Sequence, residues 1–135
     1  MRTQGRPRVF LVDDNVGLRA TLLDLLTDAG VEVIGEAGDG AEAIRRIPPA
    51  AVDLPLVVLM DVRLPGTVNG IGATRLVTDC CVNVRVLVFT AFPGFGIEQA
   101  ARQAGAAGLL TKGCPAEAIL AAVSRAWREL VPVAG

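Results

Sequence analysis

Five positions in this 135-residue chain could do chemistry together: the acidic pair Asp13-Asp14, a third acid at Asp61, the hydroxyl of Thr90 and the ammonium of Lys112. Each follows the end of a short apolar run. Carboxylates crowded within a few ångströms repel one another, and that proximity raises a pKa unless a cation compensates. A small divalent ion, Mg2+ or Mn2+, suits such a cluster, because magnesium takes hard oxygen ligands and binds one or two carboxylates plus a substrate phosphate. Two acids for the metal and one as nucleophile make a phosphoryl-transfer site, in which Asp61 would form a mixed anhydride with phosphate. Metal and lysine would stabilise charge on the group in transfer. Lys112 is the one lysine among 13 basic residues. Its compact charge with three rotatable donors suits a phosphoryl oxygen better than arginine's planar fork. Thr90 offers a hydroxyl donor.

Taken singly, each feature has an ordinary explanation. An acidic pair after a strand is commonly a helix cap or a turn. Asp61 could cap the loop before Leu64-Pro65-Gly66, and Thr90 could be structural. Their joint appearance at the ends of four apolar runs is what favours the chemical reading.

The elements that must position these groups alternate in type. Val9–Val12, Leu56–Met60, Val84–Phe89 and Ala107–Leu110 are near-continuous apolar runs, as expected of strands covered on both faces; Val31–Ala37 alternates, as expected of an edge strand. Between them lie helical spacings. Leu18, Leu22, Leu25, Leu26 and Ala29 share a face, with Gly30 as a C-terminal stop. Ala41–Ile47 reads as a short helix ended by Pro48 and Pro49; Ile71–Cys81 and Ile97–Ala104 follow. A last helix starts with Pro115 in its first turn and runs through Leu120, Val123, Trp127 and Leu130. The β-α unit thus repeats five times, which implies one α/β domain with a parallel sheet, helices on both faces and right-handed crossovers. Ligands of such sheets bind outside the carboxyl ends of the strands, so all five chemical groups converge on one rim.

The stretches "VFLVDD", "VVLMDVRLPG", "VRVLVFTA" and "AGAAGLLTKG" resemble the signature blocks of response-regulator receiver domains of two-component systems, in the same order, over Arg8 to Leu130. The segments around Asp61, Val84–Ala91 and Gly105–Lys112 look most like receivers that precede a helix-turn-helix DNA-binding domain. The resemblance implies a flavodoxin-like, doubly wound fold with strand order 2-1-3-4-5. It implies that Asp61 accepts the phosphoryl group from a sensor histidine kinase or a small acyl or amido phosphate. Asp14 and Asp61 would ligate the metal by side chain, Arg63 by its backbone carbonyl, and Asp13 through water. Thr90 and Lys112 match the switch hydroxyl and the phosphate-pairing lysine. Phosphorylation would shift a pre-existing equilibrium on the surface of the fourth helix, fifth strand and fifth helix, which is the expected homodimer or output face.

Three departures qualify that resemblance. Leu109 stands where the family often carries Tyr or Phe, and cannot make the same ring rearrangement. Phe92 and Phe95 follow Thr90 instead, as core or loop packing or as part of the signal. The loop "LPGTVNG" after Asp61 is one residue longer than the usual spacing to the glycine that begins the third helix, Gly70. Arg63 and Phe92 occupy positions whose side chains flank the phosphoryl group, and a bulky Phe92 would hinder an attacking water.

Composition closes off several other classes. The chain is 52% apolar with a formal net charge of −1, which argues against a polyanion partner held by bulk electrostatics. Direct nucleic-acid binding is not expected, since no basic face is clustered after the tail. There is no histidine, so His-dependent nucleophilic catalysis is excluded and this chain is not the histidine partner of a relay. Cys80, Cys81 and Cys114 match neither a disulfide framework nor a zinc spacing; reduced thiols in a cytoplasmic protein fit best. No stretch is apolar for long enough to span a membrane. The domain reading is a basic tail at 1–7, the receiver at 8–130 and a C-terminal tail at 131–135. A lone receiver and the N-terminal piece of a longer transcription regulator both remain open. The rival of a different class is a receiver-like module that is never phosphorylated and binds a partner through Trp127 and the strip Ala118, Ala121, Ala122 and Ala126. A nucleotide or flavin site lacks its glycine pattern after the first strand, and an aspartyl-phosphate hydrolase lacks the two-aspartate spacing of its first loop.

Overall fold

The computed structural model describes residues 5–131. Arg2 and most of the basic tail lie outside the described residues, as do residues 132–135. Five strands, β1 (Arg8–Val12), β2 (Glu32–Ala37), β3 (Leu56–Asp61), β4 (Val84–Thr90) and β5 (Gly108–Thr111), alternate with five helices, α1 (Val16–Asp28), α2 (Gly40–Ala50), α3 (Gly70–Cys80), α4 (Phe95–Gln103) and α5 (Ala116–Leu130). All strand pairs are parallel, in the order β2-β1-β3-β4-β5, the expected one.

The period-two alternation of strand side chains divides the core into two layers. Phe10, Val12, Val58, Met60, Val86 and Val88 face α2, α3 and α4, where Ala43, Ile47, Ala73, Val77 and Ala101 close the packing. Val9, Leu11, Val57, Leu59, Leu87 and Phe89 face α1 and α5, against Leu22, Leu26, Ile119, Val123 and Trp127. Every residue of β3 is buried, so the strand that ends in Asp61 is held from both faces and both sides.

Four details differ from the sequence reading. The α2 helix continues through Pro48 and Pro49 to Ala50; in a last turn the missing amides cost little, because the Ala51 amide still donates to Ile47 and Pro48 carbonyls at 3.1 Å. Pro115 precedes α5 as its N-cap residue rather than lying in its first turn. The apolar run of β5, at the edge that the expected strand order gives it, is only half-buried in all four residues rather than covered on both faces: a continuous run could not distinguish an edge strand leaning on helices from a central one. Trp127 and Ala126 are buried in the α1–α5 layer, so Trp127 belongs to the core and not to a partner-binding face.

Candidate functional site

Parallel register carries the chemical groups to one rim. Asp61 pairs with Phe89 at the end of β3 and β4, and Thr90 with Thr111 at the end of β4 and β5. The Asp13 amide donates to the Ala37 carbonyl at 3.1 Å, and the Lys112 amide to the Thr90 carbonyl at 2.8 Å. These bonds extend the ladders by one residue and fix where both side chains begin.

The next layer is set by turns and caps. Asp13 Oδ1 accepts the Asn15 amide at 2.8 Å, and Asn15 Oδ1 caps α1 through the Leu18 amide at 3.0 Å. The acidic pair is therefore not itself the cap; Asn15 does that work, which leaves Asp14 exposed on the cleft wall. Asp61 Oδ1 accepts the Arg63 amide at 3.3 Å, the loop contact expected of a capping acid, and its other oxygen faces Lys112.

The six expected residues come together. The carboxylates of Asp13, Asp14 and Asp61 each offer an oxygen within 4.8 Å of the others. Lys112 Nζ lies 2.8 Å from Asp13 Oδ2 and 3.2 Å from Asp61 Oδ2. Asp14, Asp61, Arg63, Thr90 and Lys112 line one open cleft of about 350 Å³, with Asp13 buried behind it. Thr90 Oγ1 accepts the Phe92 amide at 3.2 Å and, with a rotatable hydrogen, still has a donor to give.

The electrostatics are those of a site short of positive charge. Burial pushes the Asp61 carboxyl above its usual value and the Asp13 charge adds to that, while a hydrogen bond and charge from Lys112 and the Arg63 amide only partly offset them. Burial works against the Lys112 ammonium, but the attraction of the Asp13 and Asp61 carboxylates outweighs it and raises its pKa. Asp13 Oδ2 is buried with no hydrogen-bond partner; the Lys112 ammonium, 2.8 Å away, is its ion-pair neighbour. One lysine thus serves two buried carboxylates. Hard oxygen donors, an orphaned buried oxygen and an open cleft fit a small divalent cation.

Phe92 and Phe95 are 65% and 78% exposed, so neither is core packing. The Arg63 guanidinium lies over the Phe92 ring, 5.0 Å from its centroid, and the pair borders the cleft. Leu109 is half-buried and packs against the α2–α3–α4 layer.

Two contributors escaped the sequence reading. Asn15, which lines the cleft and caps α1, is legible afterwards as an Asn just before an amphipathic run. Gly70 is the other, in its contact with Asp61 rather than its place at the helix start. A Cβ there would fall 1.8 Å from the Asp61 carbonyl oxygen, and its amide donates to the Val62 carbonyl at 2.8 Å. It lets α3 begin directly against the backbone that carries Asp61; the sequence marks the glycine at the helix start but not the backbone it abuts.

Known proteins share the sequence pattern and the fold. Residues 9–124 match the model of the response regulator receiver domain. The chain is 36% identical over 116 residues to the response regulator UvrY of Escherichia coli, covering 85% of this chain and 51% of that protein. It is 41% identical over 106 residues to the DNA-binding transcriptional activator DevR/DosR of Mycobacterium tuberculosis, covering 78% and 47%. It therefore spans about half the length of the curated relatives it matches. Among solved structures, a LuxR-family two-component response regulator from Aurantimonas sp. SI85-9A1 superposes with a TM-score of 0.81 at 31% identity, covering 95% of this chain and 91% of that one. A parallel sheet in the order 2-1-3-4-5, an acidic rim with one lysine and a matching family model converge: the chain belongs to the response regulator receiver domain family of two-component phosphorylation switches.

Proposed function

We propose that Asp61 is the phosphoryl acceptor of this receiver and that Asp13, Asp14, Asp61 and the Arg63 carbonyl hold Mg2+ or Mn2+ beside it. The observation that carries this reading is the cluster itself: three carboxylates within 4.8 Å, with Lys112 bridging the two buried ones. A bound ion supplies Lewis-acid neutralisation of charge on the transferring group. The chain's own residues do the rest. An Asp61 oxygen attacks phosphorus and the donor's leaving group departs. Lys112 exchanges a carboxylate partner for a phosphoryl oxygen, and the Thr90 hydroxyl turns toward another. Thr90 sits on β4 next to β5, so its movement reaches the surface of α4, β5 and α5.

Receiver domains interact with sensor histidine kinases, and such a kinase is the donor we assign to Asp61. The face of α4, β5 and α5 is the proposed output and homodimer surface, and likeness to a DNA-binding transcriptional activator supports a transcriptional output. The receiver fold over residues 8–130 would then serve as the regulatory part, without direct nucleic-acid contact. A cytoplasmic setting agrees with this family. Among the described residues, no helix is long and apolar enough to cross a membrane.

The decisive experiment is intact mass after incubation with a small acyl phosphate, with and without Mg2+, for wild type and Asp61→Asn. One phosphoryl addition is expected, dependent on metal and absent in the variant. Unmodified wild-type protein under all conditions would favour the receiver-like interaction module instead.

A further inference from the structure

Cys80 and Cys81 close α3 at the sheet edge opposite Asp61: the chain enters β4 at Val84, which pairs with Leu56 at the start of β3, whereas Asp61 pairs with Phe89 at its end. Their two Sγ atoms are 2.6 Å apart, well inside the van der Waals separation of two sulfurs. Neighbouring residues in a regular helix point about 100° apart, so this approach depends on the break at Cys81, whose backbone turns to φ −131°, ψ 107°. Both thiols can be reached by a small reagent. Cys80 is exposed and Cys81 half-exposed, and the Cys81 side opens onto a hollow of about 430 Å³ between the end of α3 and the start of β4. The site owes nothing to the phosphoryl-transfer machinery.

We propose that Cys80 and Cys81 form a redox-active vicinal dithiol that closes reversibly to an intramolecular disulfide when a peroxide supplies the oxidising equivalents. The Cys80 sulfur attacks one oxygen of hydrogen peroxide. The O–O bond breaks, one oxygen leaves as water, and Cys80 becomes a sulfenic acid. The Cys81 sulfur then attacks the Cys80 sulfur. The S–O bond breaks, the second oxygen leaves as water with the Cys81 proton, and an S–S bond remains. Each sulfur has lost one electron and the peroxide has gained two.

The assignment of roles follows from exposure and electrostatics. Cys80 meets the oxidant first because it is the more exposed. Burial, a hydrogen bond to Cys80 and the charge of Cys80 push the Cys81 thiol up to about 12; once Cys80 is a neutral sulfenic acid its charge no longer contributes. Adjacent Cα atoms stand about 3.8 Å apart across a trans peptide, shorter than the ~4.4–6.8 Å usual for disulfides. The closed ring is therefore strained and readily reopened by a dithiol, which makes it a switch rather than a staple. Closure acts on the end of α3, where the Cys81 amide donates to the Val77 carbonyl at 3.0 Å and the Thr78 hydroxyl to the Ala104 carbonyl at 2.8 Å.

The test treats the whole protein with stoichiometric hydrogen peroxide, alkylates free thiols with iodoacetamide and maps the tryptic peptides. Leu76–Arg85 holds both cysteines and Gly113–Arg125 holds Cys114, so the two regions separate. The expected result is a Leu76–Arg85 peptide two hydrogen atoms lighter and unalkylated, an alkylated Cys114 peptide, and full alkylation of all three after dithiothreitol. Cys80→Ser and Cys81→Ser should each abolish the two-hydrogen loss, and Cys114→Ser should leave it unchanged. Full alkylation of the oxidised wild type, stable addition of oxygen to Cys80 or Cys81, or a bond from either to Cys114 or to a second molecule would overturn the proposal.

Discussion

Asp61 is 4% exposed and shares one ammonium with Asp13, and burial together with the Asp13 charge raises its pKa. The sign of the consequence is fixed by linkage. A carboxyl whose pKa rises on folding favours the folded state below its unfolded pKa, and that contribution is lost as pH climbs through the raised value. In metal-free buffer at pH 7, above the ordinary range of aspartate, the raised pKa of Asp61 therefore destabilises the fold relative to low pH. Asp61→Asn should melt higher than wild type in EDTA at neutral pH, and the two should converge as pH falls toward about 4, the ordinary range of aspartate. Thermal melts across that range check it; a variant that melts lower at pH 7 would mean that loss of the Lys112 pair outweighs relief from burial. Phe92 bears on lifetime rather than stability. Its ring and the Arg63 guanidinium border the cleft, and exposed stacks of this kind are worth about 0.5–1 kcal/mol. If the pair screens the acyl phosphate from water by a comparable barrier, Phe92→Ala should hydrolyse up to about fivefold faster. Unchanged decay of the phosphoprotein would remove Phe92 from the account.

Elements matter here through where they begin and end. Strands β1, β3, β4 and β5 each deliver a polar group at the last residue or just beyond it, and the apolar runs before Asp13, Asp61, Thr90 and Lys112 made that arrangement legible. Helix starts were less so. The onset of α3 depends on Gly70, whose missing side chain lets the helix abut the Asp61 carbonyl. Gly70→Ala should cost about 1–3 kcal/mol through overpacking, and it should slow phosphorylation more than a remote change of equal cost, because the displaced backbone is that of the acceptor. Urea denaturation alongside the rate of phosphoryl addition separates the two effects. The prolines of α2 make the opposite point: Pro48 and Pro49 are read from sequence as a stop, yet packing of Ile47 and Ala51 into the core carries the helix through them.

The whole molecule behaves as a scaffold that keeps like charges together. Two layers of apolar packing hold β3 rigid, and rigidity lets three acids stay within 4.8 Å instead of relaxing apart. A cation that binds this arrangement and not the unfolded chain must stabilise the fold by mass action, about 2.7 kcal/mol at a hundredfold excess over Kd. Saturating Mg2+ should accordingly raise the melting temperature by several degrees, and Asp61→Asn or Asp13→Asn should blunt the rise. An equal Mg2+ response in wild type and variants would separate the ion from the acidic rim.

Sequence alone determined the β-α alternation and the residues at the strand ends, because periodicity and strand termini are local properties. It could also identify Asp13, Asp14, Asp61, Thr90 and Lys112 as one group, since a parallel sheet sends every carboxyl end to the same rim. Tertiary structure alone decided the rest. It put Asp13 inside and Asp14 outside, gave one lysine to two carboxylates, turned Trp127 inward and Phe92 outward, and brought Gly70 against Asp61. Each of those outcomes depends on which distant backbone or side chain occupies the neighbouring space, and spacing along a chain carries no record of that.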